Sequence, residues 1–260
     1  MLSLLGNKTL GRIKNAVEFY LFSTTILLRT FLFGRLKKAS LKVLFRQIMF
    51  TGYDALPVIG FIALGTSALT ILELNQLVGP LGEGPLAFEL LVVIVIRQLS
   101  IFFTAFVLIA RSGTAISTEL GNMTVNKEID LLYSFGISPF EYLVIPRILG
   151  LVVALCTLIL YFNFFALVGG FVFYNLVYSK IGLQEFLLQV ISQLSLSDFI
   201  LPIIKAVLLG FSIGLISCYH GLKVQTASTE VPQRTIKTVV YSVVAVIVMN
   251  IVVTILSYMF

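Results

Sequence analysis

The sequence predicts an all-α integral membrane protein: an N-terminal interfacial amphipathic helix, five transmembrane helices, and a short polar helix between the second and third of them. Three observations predict it. The 260 residues are 58% hydrophobic and only 12% charged, whereas water-soluble domains carry roughly a quarter charged residues. The apolar residues gather in five runs, each at least as long as the roughly 20 residues that a bilayer crossing needs. Fifteen of the 18 lysines and arginines fall on one side of those runs, the bias that marks the cytoplasmic face.

The first element covers about residues 8–35. Leu10, Ile13, Val17, Tyr20 and Leu21 recur at helical spacing, with Lys8, Arg12 and Asn15 on the opposite side; such a basic amphipathic helix lies flat among lipid headgroups. The alternative, a first spanning helix, would bury Arg29. No cleaved signal peptide is expected, because Arg29 interrupts the apolar run and no small-residue cleavage site follows. Residues 1–47 thus read as a region at the cytoplasmic face, and 48–260 as a five-span domain.

The spans are expected at about 50–74, 86–110, 143–174, 199–219 and 237–259. The third exceeds a bilayer's needs, so it must tilt or break, with Gly169-Gly170 as the weak point. In the fourth, Gly210 and Gly214 make a small-xxx-small face for close helix packing. There is no internal repeat, and an odd number of spans argues against a two-fold inverted transporter.

Residues 1–47 hold nine of the 18 cations, and 111–147 and 220–237 hold three each. Loop 75–85, punctuated by Gly79-Pro80 and Gly84-Pro85, has none, and loop 175–198 has only Lys180. The N-terminus is therefore expected in the cytoplasm and the C-terminus outside. In so apolar a chain, the net charge of +6 reflects this bias rather than a nucleic-acid partner. Cys156 and Cys218 lie in apolar runs and read as buried thiols rather than a disulfide. One histidine, His220, cannot build a multi-histidine metal site, and no metal ligand or catalytic residue is assigned.

The stretch RSGTAISTELGNMTVNKEIDLLYSFGISP, residues 111–139, is too charged to enter lipid and is expected in the cytoplasm. Asn126 is expected to cap a helix there, with Glu128 and Asp130 in the first turn. Gly136 and Ser138-Pro139 end it. Ile129, Leu132 and Phe135 form an apolar stripe. That helix either packs on its own protein or docks a cytoplasmic partner. The chain has no G-x-x-x-x-G-K-[ST] loop; Gly6-Asn7-Lys8-Thr9 lacks the spacing. Any uphill work would draw its energy from another chain.

The same stretch, extended as ARSGTAISTELGNMTVNKEIDLLYSFGISPFEYLVIPRILG, resembles the signature of the MlaE (YrbE-type) permeases, membrane subunits of lipid-trafficking ABC transporters. The matches are Glu119, Leu120, Gly121, Met123, Glu128, Ile129, Asp130, Pro139, Pro146 and Arg147. The likeness extends through FTGYDALPVIGF (50–61) and RTIKTVVYS (234–242) and covers about residues 45–258. It implies a homodimer in the bacterial inner membrane, moving phospholipid. It also implies cytoplasmic ABC ATPases (MlaF-like) that bind ATP and Mg, a periplasmic MCE-domain protein (MlaD-like) and a STAS-domain protein (MlaB-like). No cofactor is expected in this chain. Glu119, Gly121, Glu128 and Asp130 become candidates for ATPase coupling, within a coupling helix at about 111–139. Three departures stand out. Arg97-Gln98-Leu99-Ser100-Ile101 replaces the family's Arg-Glu-Leu-Gly-Pro. KVQTASTEVPQ (223–233) replaces a glycine-rich loop, and Asn250 replaces an acid.

Arg97, Lys205 and Asn250 fall within spans, roughly 16, 9 and 12 Å from their outer ends at 1.5 Å per residue. Ionised groups there cost at least about 2.5–3.5 kcal/mol to insert. Three readings stand: a structural ion pair, for which Glu89 is the acid considered; snorkelling, plausible for Lys205; and a cavity that receives an anionic headgroup, lined by Arg97, Gln98, Lys205 and Asn250. Amides in place of acids would leave both cations poorly neutralised. Asp54, Glu18 and Glu119 sit near cytoplasmic boundaries and receive no cargo role. Rival classes are a hydrolase using His220 as base, which lacks a nucleophile motif, a channel, which lacks a polar face, and a non-transporting membrane scaffold.

Overall fold

Lipid offers a backbone no hydrogen-bond partners, so an apolar run satisfies its own amides as a helix. A computed structural model describes residues 2–31, 38–78, 90–177, 182–225 and 227–259, and all regular structure among them is helical. Glu89, Lys180 and both Gly-Pro pairs of loop 75–85 lie outside the described residues, as do the side chains of Lys8, Leu10, Arg12, Ile13 and Asn15.

Five helices have the length and composition of membrane spans: Lys42–Glu73, Val92–Val125, Phe140–Leu176, Ser197–Leu222 and Glu230–Ser257. The first starts earlier than its apolar run. Helix Lys38–Gly52 continues through one 3₁₀ turn, Tyr53–Ala55, into Leu56–Val78.

The second span is longer than expected, which corrects the reading of residues 111–139. It continues past 110 to Val125, and only Glu128–Ser134 forms a separate helix. The polar residues of 111–125 find partners inside the protein. Thr238 Oγ1 donates to Ser117 Oγ at 3.0 Å, and Arg111 reaches Asp54 Oδ2 at 2.6 Å. This span also alternates between helix types, with π-helical turns at Val92–Leu99 and Ile109–Gly113.

The third span is the hub. Helix Ile145–Val177 runs unbroken through Gly169-Gly170, so of the two expectations, tilt or break, the break is absent. A Cβ at Gly169 would strike Ser67 and the Leu64 backbone; the glycine permits close approach of the first span rather than bending. Ile148, Leu151, Leu155, Leu158, Phe162 and Ala166 line its buried face. The Gly210/Gly214 face packs here as the spacing predicts. A Cβ at Gly210 would lie 2.8 Å from Val152 Cα, and one at Gly214 3.1 Å from Ile148 Cα.

Helix Leu2–Phe31 is not among the spans. Its inward side brings Phe19 edge-on to Tyr219, Phe22 against Phe140 and Ile26 into the core. Val17, Tyr20, Leu21 and Leu28 remain exposed. Within loop 175–198 the structure adds a helix that the sequence pattern does not announce, Leu183–Gln193. Phe186 and Val190, one turn apart, pack on Val92 and Ile96.

Candidate functional site

Residues Ser195 and Asp198 open the fourth span. Asp198 Oδ2 accepts from the Ser195 backbone N–H at 2.9 Å and from its hydroxyl at 3.0 Å. The acid three residues on thus satisfies the amide and the hydroxyl of Ser195 and orders the turn that leads into the helix. These bonds fix the carboxylate toward the second span, where Arg97 Nη2 donates to Oδ2 at 2.9 Å. Arg97 Nε lies 2.6 Å from Oδ1, a charge contact away from the N–H direction. The Asp198 side chain is 4% exposed and that of Arg97 36%.

Arg97, Gln98, Asp198, Lys205 and Thr254 line one cavity of about 160 Å³. Lys205 is buried and donates to Thr254 Oγ1 at 2.8 Å. Among the described residues no carboxylate pairs with it. Asn250 joins through Gln98, donating from Nδ2 to Oε1 at 3.3 Å. Of the four residues expected to line a polar cavity, Arg97, Gln98 and Lys205 do so, while Asn250 is buried behind Gln98. It corrects the charge expected there. Arg97 is paired, and its acid is Asp198 rather than Glu89. Lys205 does not snorkel along a bare surface. The lining carries two cations and one carboxylate, so the charge left to attract an anion belongs chiefly to Lys205. The Ser195-x-x-Asp198 pattern is the sequence signal for the missed acid.

At the opposite end of the second span, the four residues considered for partner coupling separate. Glu128 and Asp130 are exposed in the first turn of Glu128–Ser134, where the helix dipole favours them. Asn126 does not cap that helix. It ends the preceding one, and Lys127, at φ 59°, makes the turn between them. Gly136, at φ 70°, ends the short helix as expected. Its N–H reaches Tyr133 O and the Ile137 N–H reaches Leu132 O, both at 2.9 Å, the Schellman pattern. The apolar stripe divides. Ile129 and Leu132 pack on the core, while Phe135 is 76% exposed, with Leu131 and Tyr133 also outward.

Gly121 and Glu119 are placed differently. Gly121 is buried, and a Cβ there would lie 3.2 Å from both Val224 and Val231. It packs the second span on the fourth-to-fifth-span turn and offers no surface to a partner. Glu119 meets Arg147 at 2.7 Å. All three acids assigned no cargo role carry ion pairs at this end: Glu119 with Arg147, Asp54 with Arg111, and Glu18 with Lys223 at 2.6 Å. The hydrogen bond from Lys223 holds the Glu18 carboxyl below its ordinary range. Burial pulls Lys223 down, but hydrogen bonds to Glu18 and Tyr219 outweigh it and raise the ammonium above its usual value.

With both ends described, the chain can be compared with known proteins. The family model for permease MlaE matches residues 44–256. The chain belongs to the MlaE permease family. A probable ABC transporter permease protein of Rickettsia prowazekii is 26% identical over 216 residues, 82% of each chain. One from Synechocystis is 30% identical over 154 residues, 59% of this chain and 58% of the other. The Arabidopsis thaliana chloroplastic protein TRIGALACTOSYLDIACYLGLYCEROL 1 is 29% identical over 177 residues, 68% of this chain and 48% of that protein. MlaE membership and these relatives support an ABC-transporter permease subunit, a multi-pass membrane protein whose kind works with an ATPase partner. The motif matches that separated in space, Glu119 with Arg147 and Glu128 with Asp130, lie at one end of the bundle. Gln98, at the cavity, and Asn250, behind it, are hydrogen-bonded to each other.

Proposed function

We propose that this permease moves phospholipid between the inner membrane and a periplasmic MCE-domain partner, as a homodimer driven by separate ATPases that hold ATP and Mg. Its N-terminus lies in the cytoplasm and its C-terminus in the periplasm. The MlaF-like ATPase docks on Glu128–Ser134. The acids at its start and the outward Leu131, Tyr133 and Phe135 support this reading, because such an apolar ridge beside charge is unusual on a water-facing helix. ATPase closure pushes on this helix, the motion passes into the spans, and the cavity opens or collapses around its lipid. A STAS-domain protein (MlaB-like) completes the cytoplasmic assembly.

One observation carries the cargo assignment: a buried lysine that has a hydroxyl but, among the described residues, no carboxylate partner faces a cavity at span depth. Lys205 attracts the headgroup phosphate. Arg97, oriented by Asp198, adds N–H donors at the rim. Gln98 and Asn250 supply neutral hydrogen-bonding groups where acids would repel an anion. Native mass spectrometry of the complex with and without Lys205→Met tests this. The wild type should carry anionic phospholipid, and the variant should lose about tenfold of it, one charge-assisted contact being worth roughly 1.5 kcal/mol. Equal lipid in both would remove Lys205 from cargo binding. Loss of ATPase co-purification in Glu128→Lys/Asp130→Lys tests the docking helix, and full retention would refute it.

A further inference from the structure

Another cavity, about 680 Å³, lies at the other end of the fourth and fifth spans and is unconnected with the reading above. Its mouth carries Arg234, Lys237, Lys223 and His220, and among the described residues no carboxylate lines it. Lys223 is engaged by Glu18, but among the described residues neither Arg234 nor Lys237 has an ion-pair partner. His220 is more than nine-tenths buried, stacks on Tyr241, and leaves Nδ1 without a hydrogen-bond partner.

Below these groups the lining changes character. Tyr241, Val244, Ala245 and Val248 continue down the face that begins with Arg234 and Lys237, opposite Ile216. The spacing Arg234, Lys237, Tyr241, Val244, Val248 is one stripe of a helix, roughly 21 Å long at 1.5 Å per residue. Cations, then an aromatic ring, then apolar side chains follow the same order as the phosphate, the interface and the acyl chain of a lipid. A free phosphate would use only the upper third. A protein segment would not need cations at one end and an apolar extension at the other in this order.

We infer that this groove is a second lipid site, which holds an anionic phospholipid by its phosphate among Arg234, Lys237 and His220, with an acyl chain along Val244 and Val248. Basic pockets between spans recognise headgroups in this way, with about 1 kcal/mol, or about fivefold in affinity, from each cation near the surface. The site lies at the end that the positive-inside bias assigns to the cytoplasm. It therefore samples the leaflet opposite the Lys205 cavity and stands whether or not that cavity carries cargo.

The chain has no tryptophan, so Val244→Trp gives a sole indole reporter inside the groove. The full chain in phosphatidylcholine nanodiscs receives phosphatidylglycerol brominated on its acyl chain, or equally brominated phosphatidylcholine. Phosphatidylglycerol should quench at roughly twentyfold to thirtyfold lower mole fraction, about fivefold for each of the two cations. Arg234→Gln/Lys237→Gln should abolish the preference, while Lys205→Met should keep it. Equal quenching by both lipids overturns the inference, as does a preference that survives in the double variant. So does displacement by millimolar inorganic phosphate, which would make the ligand free phosphate. An indole shielded from both lipids would place protein in the groove, a second copy or another subunit, and overturns the inference equally. His220→Gln retains a hydrogen-bonding group and should weaken the preference only partially, so a fully retained preference there removes His220 from the site.

Discussion

The ion pair between Arg97 and Asp198 is the feature most open to quantitative test, and a double-mutant cycle reads it directly. At the 2.6 Å contact, an effective dielectric near 20 gives roughly 6 kcal/mol of gross attraction. Most of that is offset by desolvation of Asp198. The two partners are not equivalent. Arg97→Ala leaves a carboxylate 4% exposed with only the Ser195 bonds, and should cost about 3 kcal/mol. Asp198→Ala leaves a guanidinium that is 36% exposed and partly rehydrates. It also loses both bonds from Ser195, so about 2 kcal/mol is expected. The double variant should cost about 3 kcal/mol, a coupling of about 2 kcal/mol. Titration of the purified chain with dodecyl sulfate, followed by circular dichroism, measures all four proteins. If the two single costs add within about 0.5 kcal/mol, the pair contributes nothing. Arg97 would then be as free as the sequence alone suggests, and the assignment of the cavity's charge to Lys205 would fail with it.

Gly210→Ala should destabilise the chain by about 1–3 kcal/mol, since its Cβ meets the Val152 backbone at 2.8 Å. Gly65→Ala, with nothing within 4 Å, should be neutral or slightly stabilising by the same titration. Gly136→Ala places a Cβ at φ 70° and should cost about 1–2 kcal/mol locally. Hydrogen exchange in 128–137 should rise while the spans stay protected, and unchanged exchange would refute the Schellman stop. The Glu18–Lys223 clasp has a defined pH window. A lowered carboxyl stabilises above its ordinary 4.5 and loses that as pH falls through its folded value. A raised ammonium stabilises below its ordinary 10.5 and loses that as pH climbs through its folded value. Docking of residues 17–24, read by intrinsic-rate-corrected exchange, should therefore stay flat between about pH 6 and 9 and loosen on either side.

Much of the fold is legible without coordinates, for identifiable reasons. Apolar runs report spans because lipid leaves the backbone one solution, and the Gly210/Gly214 spacing reports packing because only hydrogen fits where a Cβ would meet backbone at 2.8 Å. What sequence misplaces are residues whose polarity is neutralised by distant partners. Thr114–Val125 looks too polar for a span, yet Thr238 lies 121 positions from Ser117 in the chain, and no local window holds both. Gly169 illustrates the converse: a glycine pair in a long helix reads equally well as hinge or contact. Only the neighbouring Ser67 decides. Asp198 is legible as a first-turn acid, but its role toward Arg97 depends on where the second span lies.

The same helix joins the two ends of the molecule. Arg97 and Glu119 both belong to the second span, about 33 Å apart at 1.5 Å per residue. Between them sits the π-helical turn Ile109–Gly113, a local irregularity of the kind that allows a helix to shift register. That turn is clamped at one point by the Arg111–Asp54 pair, which also sets Arg111 over Phe50. In the proposed mechanism a push at Glu128–Ser134 reaches Arg97 through this span. The pair then fixes whether the turn transmits the stroke or absorbs it. Asp54→Asn keeps the side chain's shape but removes the charge, at a cost of about 1 kcal/mol for a partly exposed pair. It should leave lipid binding at Lys205 and ATPase attachment intact, because both lie away from the turn. Stimulation of ATP hydrolysis by lipid in the whole complex should fall severalfold, since the two ends become less tightly linked. Full stimulation in Asp54→Asn would show that force bypasses the second span, and the Glu119–Arg147 contact with the third span would be the route left.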